Sequence, residues 1–302
     1  MTHSSQSPVG RGIEYLCRRQ HADGFWAEWA LPPGESRAWS TAYIGWKLAG
    51  LPRDLTPAPS LDRAAEWLGA ARFADGGWGY GPGTGPDADS TALAQLFLVS
   101  QGRRPPSPLG LLLAHQQSDG GFATYTRAWN HGAWTRSQPE VTATVLLALL
   151  GEAAAFEPAA AAIRYLRAQR QRDGLWPSYW WTSPLYATDV ALAGLGDAIA
   201  VEPELLAAAV RDTATPTAFE LALQVSCLRR LGDAGGAAAS ALALTARQLA
   251  DGSWPSGPVL RLTHRHVTAP WQASDAGPLF PDPHRLFATA TAVAALASRY
   301  AM

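Results

Sequence analysis

At 302 residues, 47% of them hydrophobic, the chain is long enough for one large domain or two small ones with a sizeable core. A formal net charge of −1 and no basic run argue against nucleic acid as the main partner, and point to a ligand that is neutral or whose charge is met locally. The two cysteines, Cys17 and Cys227, are far apart and lack a CxxC or His-spaced neighbour, so they indicate neither a zinc site nor a disulfide framework and fit a reducing cytoplasm. The opening MTHSSQSPVG is polar with no signal-peptide core behind it, and no apolar run reaches membrane-spanning length; peripheral membrane contact stays open.

Along the chain, a degenerate repeat ends a helix in Gln or Arg and follows it with Asp-Gly and an aromatic. The copies read RRQHADGFW (Arg18–Trp26), ARFADGGW (Ala71–Trp78), HQQSDGGF (His115–Phe122), RQRDGLW (Arg170–Trp176) and RQLADGSW (Arg247–Trp254). Gly supplies the left-handed turn that stops a helix, Asp bonds the local backbone, and the aromatic folds back over the helix end. The repeat aromatics, such as Trp26, Trp78, Trp176 and Trp254, are therefore expected to pack rather than to meet a ligand.

Between the copies lie Ala- and Leu-rich segments with little β-branched alternation, which reads as all-helical. The helices fall into six pairs. The first members are expected at 8–20, 60–73, 106–117, 157–170, 202–213 and 234–249, the second at 36–50, 87–101, 139–151, 184–197, 215–231 and 284–299. First members carry Arg and Glu and suit an outer wall; second members such as VTATVLLALL are apolar nearly all round and belong inside. Six pairs imply a closed (α/α)6 barrel, a single domain over residues 1–302, with residues 1–7 expected to be disordered. The longest irregular segments, 124–139 and 255–283, carry Trp129, His131, Trp134, His264, His266 and Trp271, and loops of that length are expected to act as lids over the cavity.

The stretch GGWGYGPGTGPDADSTALAQLFL, Gly76–Leu98, places two carboxylates and two hydroxyls where an aromatic glycine loop becomes an apolar helix. Asp87, Asp89, Ser90 and Thr91 should occupy its cap and first turn. One reading makes Asp87 a cap and Asp89 a partner of the helix dipole. The other has the two carboxyls share one proton in an apolar site and so form a strong general acid. Both stay open at this point.

Here a resemblance becomes specific. Gly76–Leu98, EVTATVLLAL (Glu140–Leu149) and AIRYLRAQRQRDGLWPSYWWTSPLYATDVALAGL (Ala162–Leu195) resemble successive stretches of the class II terpene cyclases, the squalene-hopene cyclase kind in particular, and the Asp-Gly-aromatic repeats resemble that family's QW repeats. The resemblance implies a terpenoid cyclase/prenyltransferase-like toroid, but only the acid-bearing barrel; a second barrel normally completes the cavity. An open cavity, a partner subunit or second copy, or closure by the two long loops are the alternatives.

In the family's Asp-x-Asp-Asp motif the middle Asp protonates an alkene or epoxide, and the polyene cyclises through carbocations. By position Asp87 and Asp89 match the first and middle acids, so the resemblance assigns the proton to Asp89, with Ser90 in place of the last Asp. Protonating an alkene requires an acid kept from water and a cation stabilised without a nucleophile, which aromatic faces provide. Cavity candidates are Trp39 and Tyr43, Trp180, Trp181 and Tyr186, and Trp129, Trp134, Trp271 and Phe287 near the loops. Glu140, Asp189 and Glu220 fall in early turns of inner helices, either as caps or as contacts to a polar substrate group or bases for the final cation. Arg261, Arg265 and Arg285 are candidates to receive a diphosphate. The expected partner is a lipophilic isoprenoid or prenylated small molecule, with no cofactor, and with Mg2+ only if the substrate is a diphosphate.

Alternatives are a non-catalytic isoprenoid-binding barrel, a protein prenyltransferase β-like subunit requiring a zinc set, and a glycosidase using separated carboxylates such as Asp89 and Glu220.

Overall fold

The computed structural model describes residues 7–196 and 202–297, and among them twelve α-helices form. In chain order they are α1 (Pro8–Arg19), α2 (Arg37–Ala49), α3 (Ala58–Ala70), α4 (Ala88–Ser100), α5 (Leu109–Ala114), α6 (Pro139–Leu149), α7 (Phe156–Gln169), α8 (Pro184–Leu195), α9 (Pro203–Asp212), α10 (Ala218–Arg230), α11 (Ala234–Ala246) and α12 (Leu286–Ala297). The even-numbered helices touch in the order α2, α4, α6, α8, α10, α12 and back to α2, a closed inner ring, and the odd-numbered ones pack outside it. The chain is an (α/α)6 barrel. Of the region expected to be disordered, residues 1–6 lie outside the described residues, and Ser7 caps α1, its hydroxyl accepting the Gly10 amide at 3.0 Å.

The inner helices are buried almost all round: in α6, all but one residue is buried, and in α10 the run Ala218–Val225 is buried without a break. Each Asp-Gly-aromatic repeat locks an outer helix to the ring. The indole N–H of Trp26, Trp78, Trp176 and Trp254 donates to the carbonyl of Leu16, Leu68, Leu166 and Leu244 at 2.7–2.9 Å. The backbone N–H of each donates to the hydroxyl oxygen of an inner-helix threonine: Thr41, Thr91, Thr188 and Thr289. Gln20 and Gln248 reach sideways to the carbonyls of Ser60 and Pro8, so that the last outer helix is stitched to the first. Gly252 shows why no larger residue fits: at φ +91° its Cβ would lie 2.5 Å from the Arg11 carbonyl.

One expected element needs correction. The helix expected at 106–117 is only Leu109–Ala114, because Pro105, Pro106 and Pro108 remove the donors its first turns would use. Outside the helices, Thr124–Pro139 holds 3-10 turns at Arg127–Trp129 and Gly132–Thr135, and two small antiparallel hairpins form, β1 (Ala30–Leu31) with β2 (Gly34–Glu35) and β3 (Pro258–Arg261) with β4 (Leu279–Pro281).

Candidate active site

The N-terminal ends of α2 and α4 and the strap before α8 converge on a cavity of about 580 Å³. At the start of α4, Asp87 is the cap: its Oδ1 accepts the Ser90 amide at 2.7 Å and its Oδ2 accepts the Ser90 hydroxyl at 2.8 Å. That leaves Asp89, one position into the helix, turned toward the ring's interior. Its Oδ2 accepts the Trp39 indole N–H at 2.5 Å, while Oδ1 is buried with no hydrogen-bond partner among the described residues. The nearby Thr144 hydroxyl gives its proton instead to the Glu140 carbonyl at 2.9 Å.

Burial pushes the Asp89 carboxyl up to about 6, against the lowering effect of Trp39 and Thr144. Asp87 rises to about 7, again chiefly by burial, with the Asp89 charge adding to it and the Ser90 amide opposing it. Asp89 keeps some surface contact, but that surface faces the cavity, not bulk solvent. Hydrocarbon filling the cavity would remove that contact and lift its pKa further.

Aromatic faces make the walls. Trp29, Trp39, Tyr80, Tyr125, Trp134, Trp180 and Trp181 line the cavity, and Trp129 lines it while 44% exposed at the rim. Of the aromatics expected on the cavity, Tyr43, Tyr186 and Phe287 stand behind this wall. Tyr43 stacks under Trp39 at 5.2 Å, and Phe287 stacks under Trp181 at 4.7 Å while lying 4.4 Å from Tyr43 and 4.5 Å from Phe219. They plug the barrel's centre and set the cavity floor. Trp271, 36% exposed, does not line the cavity.

The three other acids are also placed. Glu140 is buried beside the cavity; its Oε1 accepts the backbone N–H groups of Tyr179 and Trp180 at 2.6 and 2.7 Å, which fixes the strap carrying Trp180 and Trp181. Burial, opposed by those amides, leaves it raised to about 7. Glu220 closes a capping box with Thr217 at the start of α10. Asp189 faces the opposite end of the barrel, where it pairs with Arg230 at 3.2 Å and Lys47 at 3.6 Å and accepts from Ser226 at 2.5 Å. Neither Glu220 nor Asp189 lines the cavity.

The mouth is narrowed by the chain's own loops: Leu31, Pro32 and Pro33 of the first hairpin, Gly83–Gly85, the turns around Trp129–Trp134, and Leu260–Arg265. Arg261 and Arg265 line it, and Arg261 Nη1 is buried without a hydrogen-bond partner among the described residues. Arg265 lies over the Trp134 ring at 4.9 Å. The third arginine, Arg285, instead pairs with Asp251 at 2.8 Å, and His264 with Asp275 at 3.4 Å; neither lines the cavity, and His266 does not either. Among the described residues no group of three His, Cys, Asp or Glu is arranged to hold a metal, and no helix is long and apolar enough to cross a membrane.

Sequence reasoning missed Glu28. This buried carboxylate accepts backbone N–H groups of His284, Leu286 and Phe287 at 2.6–3.2 Å, pinning the first hairpin to the start of α12. Burial, with Asp282 nearby, raises it to about 8. The sequence WAEWAL around it carries no spacing signal for a cap made across the chain.

No family model matches the chain. It is 36% identical over 104 residues to the labda-7,13-dienyl diphosphate synthase of Streptomyces clavuligerus and 30% identical over 158 residues to the drimenyl diphosphate synthase of Streptomyces showdoensis. These matches cover 33% and 49% of the chain but only 17% and 28% of those relatives, so the matched span is less than a third of each curated protein. Among solved structures, a protein from Actinoplanes superposes with a TM-score of 0.85 at 27% identity, covering 96% of this chain and 97% of that one. The type II terpene cyclase MstE from Scytonema superposes with a TM-score of 0.82 at 23% identity, over 96% of each chain, and has also been solved with geranylgeranyl dihydroxybenzoate bound. The chain has the fold of type II terpene cyclases, over nearly its full described length.

Proposed function

We propose that this protein is an acid-initiated terpene cyclase that protonates an isoprenoid alkene or epoxide and cyclises it through carbocations. One observation carries the reading: the Asp89 carboxyl faces the head of an aromatic-walled cavity with one oxygen held by Trp39 and the other buried without a hydrogen-bond partner among the described residues. In this reading Oδ1 holds the proton. As it passes to the terminal alkene carbon, the charge left on the carboxylate is held by the Trp39 N–H, and the cation that forms meets indole faces rather than water. Burial raises the Asp89 pKa toward neutrality, which favours the proton-bearing form before substrate enters.

Asp87 and Ser90 act together. Their mutual hydrogen bonds fix the turn that aims Asp89, and Ser90, a neutral donor where the resembling family has a third acid, leaves one less charge beside it. Arg261, whose Nη1 is buried without a hydrogen-bond partner among the described residues, and the stacked Arg265 at the mouth suit a substrate whose head group is anionic, a carboxylate or a diphosphate. The cavity lies within the roughly 300–1,000 Å³ range of small-molecule sites. Because the chain's own loops narrow the mouth, the reading requires no second barrel.

The test is incubation with linear isoprenoids of farnesyl to geranylgeranyl length bearing a carboxylate, a diphosphate or no charged head, followed by product analysis of the natural protein and Asp89→Asn. Cyclised product from the first and none from the second is expected. Lipid binding without turnover by either would contradict the reading and leave a binding barrel.

A further inference from the structure

A carbocation cascade that begins on a carboxylic acid must end by losing a proton or capturing water. The titratable groups lining the cavity are Asp87, Asp89, Tyr80, Tyr125, His131, Arg261 and Arg265. Burial raises both tyrosines, which keeps them protonated, and the arginines are cations. His131 is the neutral base among them, and nothing assigned so far uses it.

Its setting is built. The ring stands in an aromatic box, 5.1 Å from Tyr125, 5.8 Å from Trp129 and 5.7 Å from Trp134. Nδ1 is buried and has no hydrogen-bond partner among the described residues. Asn130 at φ 51° and Gly132 at φ 60° bracket it in left-handed turns, and the Ala133 amide anchors that turn on the Arg265 carbonyl at 2.6 Å. Burial and the Arg265 charge hold the imidazole below its usual pKa, so at neutral pH Nδ1 is a lone pair when Nε2 carries the ring proton.

Building on the cyclase reading, we infer that His131 Nδ1 is the base that ends the reaction. The C–H bond next to the final cationic carbon breaks, its electron pair becomes the new double bond, and the proton passes to Nδ1. The imidazolium then returns that proton to water at the mouth. One proton enters from Asp89 and one leaves through His131, so the product is an isomer of the substrate. The box stabilises the cation beside the base, and Arg265, the charged neighbour over Trp134, disfavours the imidazolium and speeds its discharge.

The experiment compares products of the natural protein with those of His131→Gln and His131→Phe, with thermal melts to verify folding. Removing the base should lower the ratio of alkene to hydrated alcohol at least about tenfold while Asp89-dependent consumption persists. In the natural protein the same ratio should fall as pH drops below the imidazole pKa, and it should stay flat in both variants. This pH series reads the proposal even if neither variant folds. An unchanged ratio in the variants, a pH-independent ratio in the natural protein, or an alcohol as the natural product would each overturn the assignment. If no panel substrate is cyclised by the natural protein, the cyclase reading fails and the assignment falls with it; Asp89-dependent cyclisation whose alkene-to-alcohol ratio does not respond to His131 sinks only the assignment.

Discussion

Asp89 and Asp189 are both buried in the inner ring, at opposite ends, and they are tuned in opposite directions. Burial alone would raise both. At the far end Arg230, Lys47 and Ser226 outweigh burial and hold Asp189 below the usual carboxylate range. At the mouth Asp89 meets no cation; only the Trp39 N–H and nearby Thr144 lower it, and burial wins. A buried carboxyl holds its proton more tightly where the fold withholds a positive partner, and stays ionised where the fold supplies one.

The largest effect should come from Asp89→Asn. It removes the transferable proton while keeping the shape and the Trp39 contact, so cyclisation should fall at least about a thousandfold with an unchanged melting profile. The matching change at the other end, Asp189→Asn, should do the reverse. It removes the carboxylate charge facing Lys47 and Arg230 beneath the aromatic plug and should cost about 3 kcal/mol in denaturant unfolding, less than for a fully buried triad because Arg230 is a third exposed, with turnover per folded molecule little changed.

Trp39→Phe sharpens the comparison. It keeps the ring but removes the one donor to Asp89, so the carboxyl pKa should rise by on the order of one unit and turnover fall about tenfold, with the midpoint of the pH–rate profile moving up from about 6. In the natural protein, turnover should rise as pH falls through that midpoint, since the protonated form reacts.

Stability should follow the raised acids. Glu28 near 8 and Asp87 and Glu140 near 7 all bind protons more tightly folded than unfolded. Their contribution is therefore full below about 4 and lost as pH climbs to about 8. Asp189, lowered, contributes above its ordinary pKa and is lost in acid. The melting temperature should peak near pH 4 and drop by roughly 5 °C or more by pH 8.5; a flat profile over that span would contradict the burial of these carboxyls.

The barrel was legible because its repeat is chemical as well as periodic: Trp26, Trp78, Trp176 and Trp254 each mark where an outer helix ends, and apolar helices between them have nowhere to go but inward. Asp87 was legible as a cap for the same reason. The division of Trp39 from Tyr43, or Trp181 from Phe287, was not, because both members of each pair sit on the same inward surface and only their depth separates wall from plug. Glu28 escaped because its partners lie far along the chain, and the hairpins because they fall in segments without period. His131 stood out in its loop, but that its Nδ1 lacks a partner follows only from the box around it.

The most direct test of proton transfer from Asp89 is cyclisation carried out in heavy water. Because a carboxyl proton exchanges with solvent between turnovers, the account predicts one deuterium in each product molecule, bonded to the carbon at the initiating end, and none in material recovered from Asp89→Asn. Cyclised product free of solvent deuterium would mean that the cation is generated by another route, and would contradict the account.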